Sequence, residues 1–382
     1  MTNPIVIIGT GLAGYTLARE LRKRDKDVPL CLLTRDDGAF YSKPMLSNAL
    51  SKQKTPDDLA TADADKMRTE LGAEILTQTT VTVIDTGTHN LTLANGKVLG
   101  YSKLIFAVGA KPITPPLQGD AVDRVCQVNS LGDYRHFRQR IADKKRVAII
   151  GPGLIGCEFA NDLISAGYAV HVIGPNSWPL GSLLPEGAGL AVQAALQNIG
   201  VHWHLGCSVQ SVNSAGEELQ LTLDNHERLA VDVVLSAIGL RANIALAQAA
   251  GLQVNRGVVV DRKLQASVTD VYAIGDCAEV EGLVLPFVMP IMHQARALAA
   301  TLCAAPTDVA YPAMPVLVKT TSYPVVVSPP PQGAQGEWQE QILEGGVQAV
   351  FKAGDAILGF ALTGTAVSEK QALSKQLPAV LP

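Results

Sequence analysis

The feature that most constrains the fold of this chain is a short apolar segment that runs directly into three spaced glycines. Residues Ile5–Ile8 precede a Gly-x-Gly-x-x-Gly turn, and a helical pattern then continues to Arg24. In such a turn the first glycine permits the sharp bend, the second lets a phosphate approach the backbone, and the third lets helix and strand pack closely. The first N–H groups of the helix can then bind a pyrophosphate. The predicted pyrophosphate contacts are Gly9, Thr10, Gly11, Leu12 and Gly14.

A second segment of the same kind follows about 140 residues later. Residues Arg146–Ile150 are apolar after the first position, and Gly151, Gly153 and Gly156 repeat the glycine spacing before another helical pattern. One such motif is weak evidence, whereas two copies in strand, turn and helix context are far more specific. The alternative is a pair of unrelated α/β domains with glycine turns. The repeat favours two nucleotide sites.

The residues after the next strands bear on which ribose groups are bound. The strand over 30–33 is followed by Thr34 and Arg35, where dinucleotide folds often place a carboxylate for a ribose, and acids come only at Asp36 and Asp37. We predict a ribose contact near Thr34 and Arg35. The strand over 168–173 is followed by neither an acid nor an arginine, and the missing arginine favours NADH over NADPH.

Length and composition exclude several classes of protein. A chain of 382 residues predicts two or three domains, and a net charge of -4 predicts no general affinity for nucleic acid or anionic membranes. No apolar run approaches the roughly 20 residues that span a bilayer. The N-terminal apolar stretch is interpreted as a core strand rather than a signal peptide, so we expect a cytoplasmic protein.

The six cysteines and the last third of the chain carry weaker signals. The cysteines contain no C-x-x-C pair and no zinc-like grouping, which predicts structural thiols and no metal site. Residues 55–71 are predicted to be helical, and short strands from Val316 with a C-terminal helix predict a third, α+β domain. A strand ends at Gly275-Asp276, where the carboxylate can accept a sugar hydroxyl, although an Asx turn or helix cap explains the pattern equally well.

Together these residues resemble a known superfamily. The two glycine motifs, the glycine-ended strands at Gly109 and Gly239, and Gly275-Asp276 resemble the two-dinucleotide-domain flavoprotein reductases over essentially the whole chain. The resemblance implies an α/β fold with two Rossmann-like domains, FAD in the first and NAD(P)H in the second. The FAD domain is then discontinuous, over 1–111 and 243–312, with the NAD domain inserted at 112–242 and a small α+β domain at 313–382.

The resemblance also implies roles for single residues. Asp276 would bind the ribityl chain of FAD, Val83 would contact the adenine through its backbone, and Val288 with the following helix would face the flavin pyrimidine. Lys319 would place a positive charge near flavin N1. A cation or a helix N-terminus at that position stabilises the negative charge of the reduced ring.

Within the superfamily, three segments resemble the rubredoxin reductases most. They are Tyr41-Ser42-Lys43-Pro44-Met45-Leu46-Ser47, Gly156-Cys157-Glu158 and Val318-Lys319-Thr320. The resemblance implies that Lys43 lies near the flavin and Glu158 near the nicotinamide, with the two as possible partners. From the residues alone, a solvated turn lysine and a helix-surface acid are the simpler interpretation. Relatives resembling ferredoxin reductase carry a lysine where this chain has Asn48.

The implied reaction is hydride transfer from NADH to bound FAD, followed by single-electron transfers to rubredoxin, for example in alkane hydroxylation or an oxidative-stress response. Residues 41–48 contain no cysteine, which disfavours disulfide chemistry and is compatible with a monomer. Flavorubredoxin or ferredoxin reductases are the alternatives, and a redox-sensing FAD/NAD-binding protein resembling apoptosis-inducing factor is an alternative of another class. Because rubredoxin is expected to be small and acidic, we predict a basic rim near the flavin edge. Its predicted members are Lys43, Lys52, Lys54 and Arg124.

Overall fold

A computed structural model describes residues 3–382. Its helices are α1 (Leu12–Arg24), α2 (Pro56–Leu59), α3 (Ala64–Leu71), α4 (Leu131–Ile141), α5 (Leu154–Ser165), α6 (Glu186–Asn198), α7 (Ala245–Ala249), α8 (Val288–Leu302) and α9 (Lys370–Ser374). Short 3-10 helices cover Lys43–Asn48, Val122–Arg124, Gly275–Cys277 and Thr365–Glu369.

The strands of the first half of the chain are β1 (Ile5–Ile8), β2 (Leu30–Leu33), β3 (Phe40–Tyr41), β4 (Ala60–Ala62), β5 (Glu74–Leu76), β6 (Val81–Asp85), β7 (Asn90–Leu93), β8 (Val98–Gly100), β9 (Lys103–Phe106), β10 (Ala110–Pro112), β11 (Cys126–Gln127), β12 (Arg146–Ile150) and β13 (Ala169–Gly174). Those of the second half are β14 (Val201–Leu205), β15 (Val209–Ala215), β16 (Glu218–Leu223), β17 (Arg228–Val231), β18 (Val233–Ser236), β19 (Leu240–Ala242), β20 (Val258–Val260), β21 (Val271–Ala273), β22 (Ala278–Val280), β23 (Val316–Val318), β24 (Val325–Ser328), β25 (Glu337–Leu343), β26 (Gly346–Ala353) and β27 (Ala356–Gly364).

The first glycine motif lies on a parallel sheet with the order β21-β9-β1-β2-β5. All four residues of β1 and of β2 are buried, as expected for parallel strands that are covered on both faces. Strand β21 comes from residues 271–273, so this sheet is built from two distant parts of the chain. That pairing brings the Gly275-Asp276 turn to the same sheet edge as the first glycine turn.

The second glycine motif lies on its own parallel sheet, with the order β11-β18-β12-β13-β14. The two passages of the chain between the sheets pair with each other, because β10 and β19 are antiparallel neighbours. The predicted boundary at 111/112 falls within β10, and the boundary at 242/243 falls at the end of β19. The two Rossmann-like units expected from the repeat are confirmed, whereas the domain boundaries stay a prediction.

The last part of the chain forms an antiparallel sheet with the order β23-β24-β27-β26-β25, followed by the short helix α9. Its buried residues Val318, Val325 and Val347 belong to the same apolar cluster as α5 and β12, so the C-terminal sheet packs on the second Rossmann-like unit. Within residues 3–382, no helix is both long and apolar enough to cross a membrane.

The single helix predicted over 55–71 is wrong. The chain forms α2, then β4, and starts again at α3. Asp63 ends the first segment by capping α3, because its carboxylate accepts a hydrogen bond from the Lys66 N–H. Strand β4 pairs with β3, which draws this segment to the loop that carries Lys43.

Candidate dinucleotide and electron-transfer site

The first glycine turn has the close packing that its sequence predicts. Gly9 has a φ of +117°, and a Cβ at this residue would clash with the Ala107 carbonyl oxygen on the neighbouring strand. A Cβ at Gly14 would clash with the Gly9 carbonyl oxygen, so α1 lies directly against the turn. Gly11 differs, because apart from its own chain neighbours no atom of residues 3–382 lies within 4 Å of where its Cβ would be. The turn therefore leaves open space in front of Gly11.

The second glycine turn repeats this geometry. Gly151 has a φ of +113°, and its Cβ would lie 2.6 Å from the Ala237 carbonyl oxygen. A Cβ at Gly156 would clash with Gly151, whereas the position in front of Gly153 is open within the described residues. The two turns thus present the same small concave backbone surface at two different sheets.

The helices after the two glycine turns, and also α8, begin with backbone donors that no side chain caps. In the described part of the chain, α1, α5 and α8 have neither a side-chain cap nor an acidic residue in the first turn. By contrast, α3 is capped by Asp63 and α4 by Ser130. Free N–H groups and the positive end of the helix dipole favour an anionic group. Three helix N-termini are therefore available for negatively charged parts of a nucleotide.

The Gly275-Asp276 turn lies against the first turn of α1. Gly275 has a φ of +75°, and its Cβ would lie 2.8 Å from the Ala13 Cβ. The Gly275 N–H donates to Gln294 Oε1 of α8 at 2.7 Å, which fixes the turn between the two helices. Burial raises the pKa of the Asp276 carboxyl, and the positive charge of Lys43 opposes this shift.

Lys43 lies near enough to Asp276 for their charges to interact, and it is not fully exposed as a solvated turn lysine would be. It begins the 3-10 helix Lys43–Asn48 and is partly buried. Burial lowers the pKa of its ammonium group, while the carboxylates of Asp276 and Asp133 oppose the shift. The site thus combines a half-buried cation with a half-buried carboxylate beside the α1 N-terminus.

Glu158 lies on α5, one turn after the second glycine motif, and its side chain is fully buried. It accepts a hydrogen bond from Ser47 Oγ at 2.5 Å and from the Lys319 backbone N–H at 2.9 Å. Lys319 Nζ forms an ion pair with the same carboxylate at 2.5 Å. A pairing of Glu158 with Lys43 is therefore wrong: the partner is Lys319 from the C-terminal sheet.

After β2, the first carboxylate of the chain is that of Asp36, two residues beyond Thr34. Thr34 Oγ1 donates to Asp36 Oδ1 at 2.5 Å, and the Gly38 N–H donates to the same oxygen at 3.1 Å. Thr34 is buried and Arg35 is exposed. The Tyr15 hydroxyl donates to the Gly38 carbonyl at 2.6 Å, which ties this loop to α1. Asp36 is therefore a further candidate for the ribose contact. It was not among the predicted contacts because it comes two residues after Thr34.

The comparison with known proteins adds a second line of evidence. The model of the pyridine nucleotide-disulphide oxidoreductases matches residues 3–299, and that of the rubredoxin binding C-terminal domain matches residues 308–377. The chain belongs to the pyridine nucleotide-disulphide oxidoreductase family.

Individual proteins of the family match this chain over almost its whole length. It is 48% identical over 382 residues to a rubredoxin-NAD(+) reductase of Alcanivorax borkumensis, covering 100% of both chains. It is 38% identical over 379 residues to a nitric oxide reductase FlRd-NAD(+) reductase of Vibrio vulnificus, covering 99% of this chain and 98% of the relative. Among solved structures, the covalent putidaredoxin reductase-putidaredoxin complex matches with a TM-score of 0.88 at 26% identity, covering 98% and 94% of the two chains.

The residues of the first site fit FAD, the cofactor of this family. The open space at Gly11 and the uncapped α1 N-terminus suit a pyrophosphate. The Asp276 carboxylate accepts no hydrogen bond from any group in residues 3–382 and is therefore available to a ligand hydroxyl. Val288, the predicted contact of the flavin pyrimidine, begins helix α8, which has no side-chain cap. Val83 lies on the irregularly paired strand β6 with 56% of its surface exposed, so its predicted adenine contact is sterically accessible.

The cysteines of this family member do not form a thiol site. The free thiols Cys31, Cys126, Cys157, Cys207 and Cys277 are buried, and Cys303 is partly exposed near the end of α8. Burial raises the pKa of the Cys157 thiol, which lies next to Glu158, so the reactive thiolate is disfavoured there. The described residues also contain no cluster of His, Cys, Asp or Glu that could hold a metal ion.

Proposed function

We propose that this chain is an FAD-dependent NADH:rubredoxin oxidoreductase. The observation that carries the proposal is the joint presence of two glycine turns on separate parallel sheets and a C-terminal domain of the rubredoxin-binding type. Bound FAD accepts a hydride from NADH and releases the electrons singly, which connects a two-electron donor to a one-electron iron protein.

We assign the first glycine turn to the FAD pyrophosphate. Gly9 and Gly14 shape the turn, Gly11 leaves space for the phosphates, and backbone groups of Thr10 and Leu12 complete the surface. Because α1 has no acidic residue in its first turn, nothing on that helix end repels the phosphate charge.

We assign the turn at Asp276 to the sugar part of FAD and two positive groups to its ring. The partly buried Asp276 carboxylate would accept hydrogen bonds from hydroxyl groups, and Lys43 would hold it in the charged form. The N-terminus of α8 at Val288 and the ammonium group of Lys319 would stabilise negative charge on the ring. At the end of β2 we assign Thr34 and Arg35 to the adenosine part, with Asp36 as the nearest carboxylate.

We assign the second glycine turn to NADH, with Gly151, Gly153 and Gly156 in the roles of their counterparts. Glu158 then lies one turn beyond the pyrophosphate and orients the nicotinamide end of the site. Its oxygens already accept hydrogen bonds from Ser47 and Lys319, so the carboxylate has a fixed orientation before NADH binds. No arginine follows β13, which supports NADH rather than NADPH as donor.

We propose that rubredoxin is steered to its site by the charges that follow the Lys43 helix. Lys52 and Lys54 are exposed there, and Arg138 of α4 donates to the Lys54 carbonyl at 2.8 Å. Arg124 contacts another segment: its guanidinium donates to the Glu217 carbonyl at 2.8 Å, in the turn between β15 and β16. We therefore limit the basic rim to Lys43, Lys52 and Lys54, with Arg138 added.

We also propose a cytoplasmic location, supported by the six free thiols, because disulfides are common in proteins of oxidising compartments and rare in cytosolic proteins. Disulfide reduction is not part of the proposal, since residues 41–48 contain no cysteine and the Cys157 thiol on the adjacent helix α5 is buried.

An anaerobic titration tests the proposed function directly. NADH is added to the FAD-loaded protein until the flavin absorbance is bleached, and oxidised rubredoxin is then added in steps. We expect about one NADH per FAD for bleaching and two rubredoxins per FAD for recovery, from the electron count. Bleaching without recovery would refute rubredoxin as acceptor. Recovery with glutathione disulfide in place of rubredoxin would contradict the absence of thiol chemistry.

A further inference from the structure

Helix α5 carries a buried polar face directly after the second glycine turn. Glu158, Asn161 and Asp162 are 0%, 2% and 1% exposed. Their spacing of three and four residues places them on one side of the helix. Burying polar groups is unfavourable unless they are hydrogen-bonded, so their partners indicate what this face is for.

Asp162 binds the segment that follows the Lys43 helix. Its carboxylate accepts the backbone N–H groups of Leu50 and Ser51 at 2.9 Å each, and Ser51 Oγ at 2.5 Å. All three donors lie 111 or 112 residues away in the chain. The carboxylate thus fixes the C-terminal end of the segment whose N-terminal end places Lys43.

Asn161 binds the C-terminal sheet instead. Its Nδ2 donates to Thr321 Oγ1 at 2.9 Å, and its Oδ1 accepts the Ser322 N–H at 3.1 Å. These residues come two and three positions after Lys319, whose backbone and side chain both bind Glu158. One helix face therefore holds two separate segments, and each segment carries a lysine that we assign to the FAD site: Lys43 beside Asp276 and Lys319 at the ring.

We propose that Asp162 and Asn161 are positioning residues of the electron-transfer site. Asp162 sets the position of the Lys43 segment, and Asn161 sets that of the Lys319 segment, both relative to the NADH glycine turn at the start of α5. The proposal rests on the proposed function, because it assigns these segments to the flavin. It predicts that breaking either contact changes the flavin environment without removing any group that touches a cofactor.

The test for Asp162 is the Asp162→Asn variant. The amide keeps the shape of the side chain, but its NH2 group would face a backbone N–H, so donor opposes donor where the carboxylate accepted. In the FAD-loaded variant we expect the limiting rate of flavin reduction by NADH, followed by stopped flow, to fall about ten- to a hundred-fold. A displacement of reacting groups by about 1 Å has effects of this size. Asp143→Asn, on an exposed residue of the same unit, is the matched control.

The test for Asn161 uses its partner, since Thr321 is exposed and its substitution should not impair folding. Thr321→Val keeps the shape but removes the hydroxyl that Asn161 binds, whereas Thr321→Ser keeps the hydroxyl. We expect Thr321→Val to shift the flavin midpoint potential to a more negative value and to alter the visible flavin spectrum. Thr321→Ser should restore both to the values of the unaltered protein.

These readouts separate the inference from the proposed function. Flavin reduction by NADH, the flavin spectrum and the potential need no acceptor protein, so failure of rubredoxin reduction would refute only the proposed function. If the Asp162→Asn variant is folded and fully flavinated and NADH reduces its flavin at the unaltered rate, then Asp162 has only a structural role and its assignment is overturned. If Thr321→Val and Thr321→Ser share the unaltered potential and spectrum, the assignment of Asn161 is overturned.

Discussion

The buried ion pair between Glu158 and Lys319 gives the most demanding prediction for stability. Glu158 is 0% exposed, and the Lys319 side chain is 20% exposed. In Lys319→Met the apolar stem stays, but the Glu158 carboxylate loses its counter-charge and keeps only Ser47 Oγ and one backbone N–H as donors. Leaving one member of a buried pair uncompensated costs about 3–5 kcal/mol.

Removing the acid should cost less than removing the lysine. In Glu158→Gln the amide oxygen can still accept a hydrogen bond, and the Lys319 ammonium group can turn towards solvent. We therefore expect a loss of about 1.5–3 kcal/mol, the range for a hydrogen bond to a charged group. In the double variant no unpaired charge remains, so its loss should be smaller than the sum of the single losses by about 2 kcal/mol.

The assay is urea unfolding of the four proteins at the same saturating FAD concentration, followed by tryptophan fluorescence. Trp178 and Trp203 report on the NAD unit and Trp338 on the C-terminal sheet, so the signal covers both sides of the pair. Single losses that add to within about 0.5 kcal/mol in the double variant would refute the energetic coupling. In that case the ion pair between Glu158 and Lys319 would have no measurable role in joining the NAD unit to the C-terminal sheet.

Three further predictions use other parts of the molecule. Gly11→Ala should lower FAD affinity by about ten- to a hundred-fold, the effect of a 1–3 kcal/mol steric conflict with the ligand, and leave apoprotein melting unchanged because the Cβ meets open space. Its matched control Gly153→Ala should instead raise the KM for NADH; if both variants lose FAD equally in dialysis, the two-site assignment fails. Asp276→Ala should weaken FAD binding by about ten- to a hundred-fold in fluorescence titrations, as expected for lost hydrogen bonds to a charged group, and an unchanged Kd would contradict its assignment. Burial and the neighbouring histidines lower the pKa of His171 from 6.5 to about 4, so the folded state resists its protonation and loses stability as the pH falls from about 6.5 towards 4. His171 is half-exposed, so we expect the unaltered protein to lose about 1 kcal/mol more unfolding free energy between pH 7 and 5 than His171→Gln does. Urea midpoints that fall equally in the two proteins over this pH range would refute this.

Much of the fold could be predicted from the chain, because the local signals agree with one another. Four apolar residues before each glycine turn predict buried parallel strands, and both sheets contain them. The single helix predicted over 55–71 is wrong because the prediction ran through Asp63. Aspartate is a common N-cap residue, and here its carboxylate accepts the Lys66 N–H at the start of α3. The discontinuity of the first unit could be predicted only from the family resemblance, because no local sequence pattern indicates that β21 pairs with β9.

The site was less accessible to sequence reasoning. Lys319 lies 161 residues after Glu158, and only the packing of the C-terminal sheet on α5 brings the two together. The roles of Asn161 and Asp162 were missed for the same reason, because their partners lie in other units of the chain. One signal was present: three polar residues lie on one face of an otherwise apolar helix between two buried strands. Such a face must find partners, although the sequence does not say where.

The central claim is that electrons leave this chain for rubredoxin, and stopped-flow reoxidation of the NADH-reduced protein tests it most directly. Rubredoxin, flavorubredoxin and ferredoxin are compared as oxidants over a range of salt concentrations. We predict that rubredoxin reacts fastest and that its second-order rate constant falls as salt screens the basic rim. Slow reoxidation by all three proteins would contradict the claim and favour a redox-sensing role. Faster reoxidation by flavorubredoxin or ferredoxin would contradict the choice of acceptor.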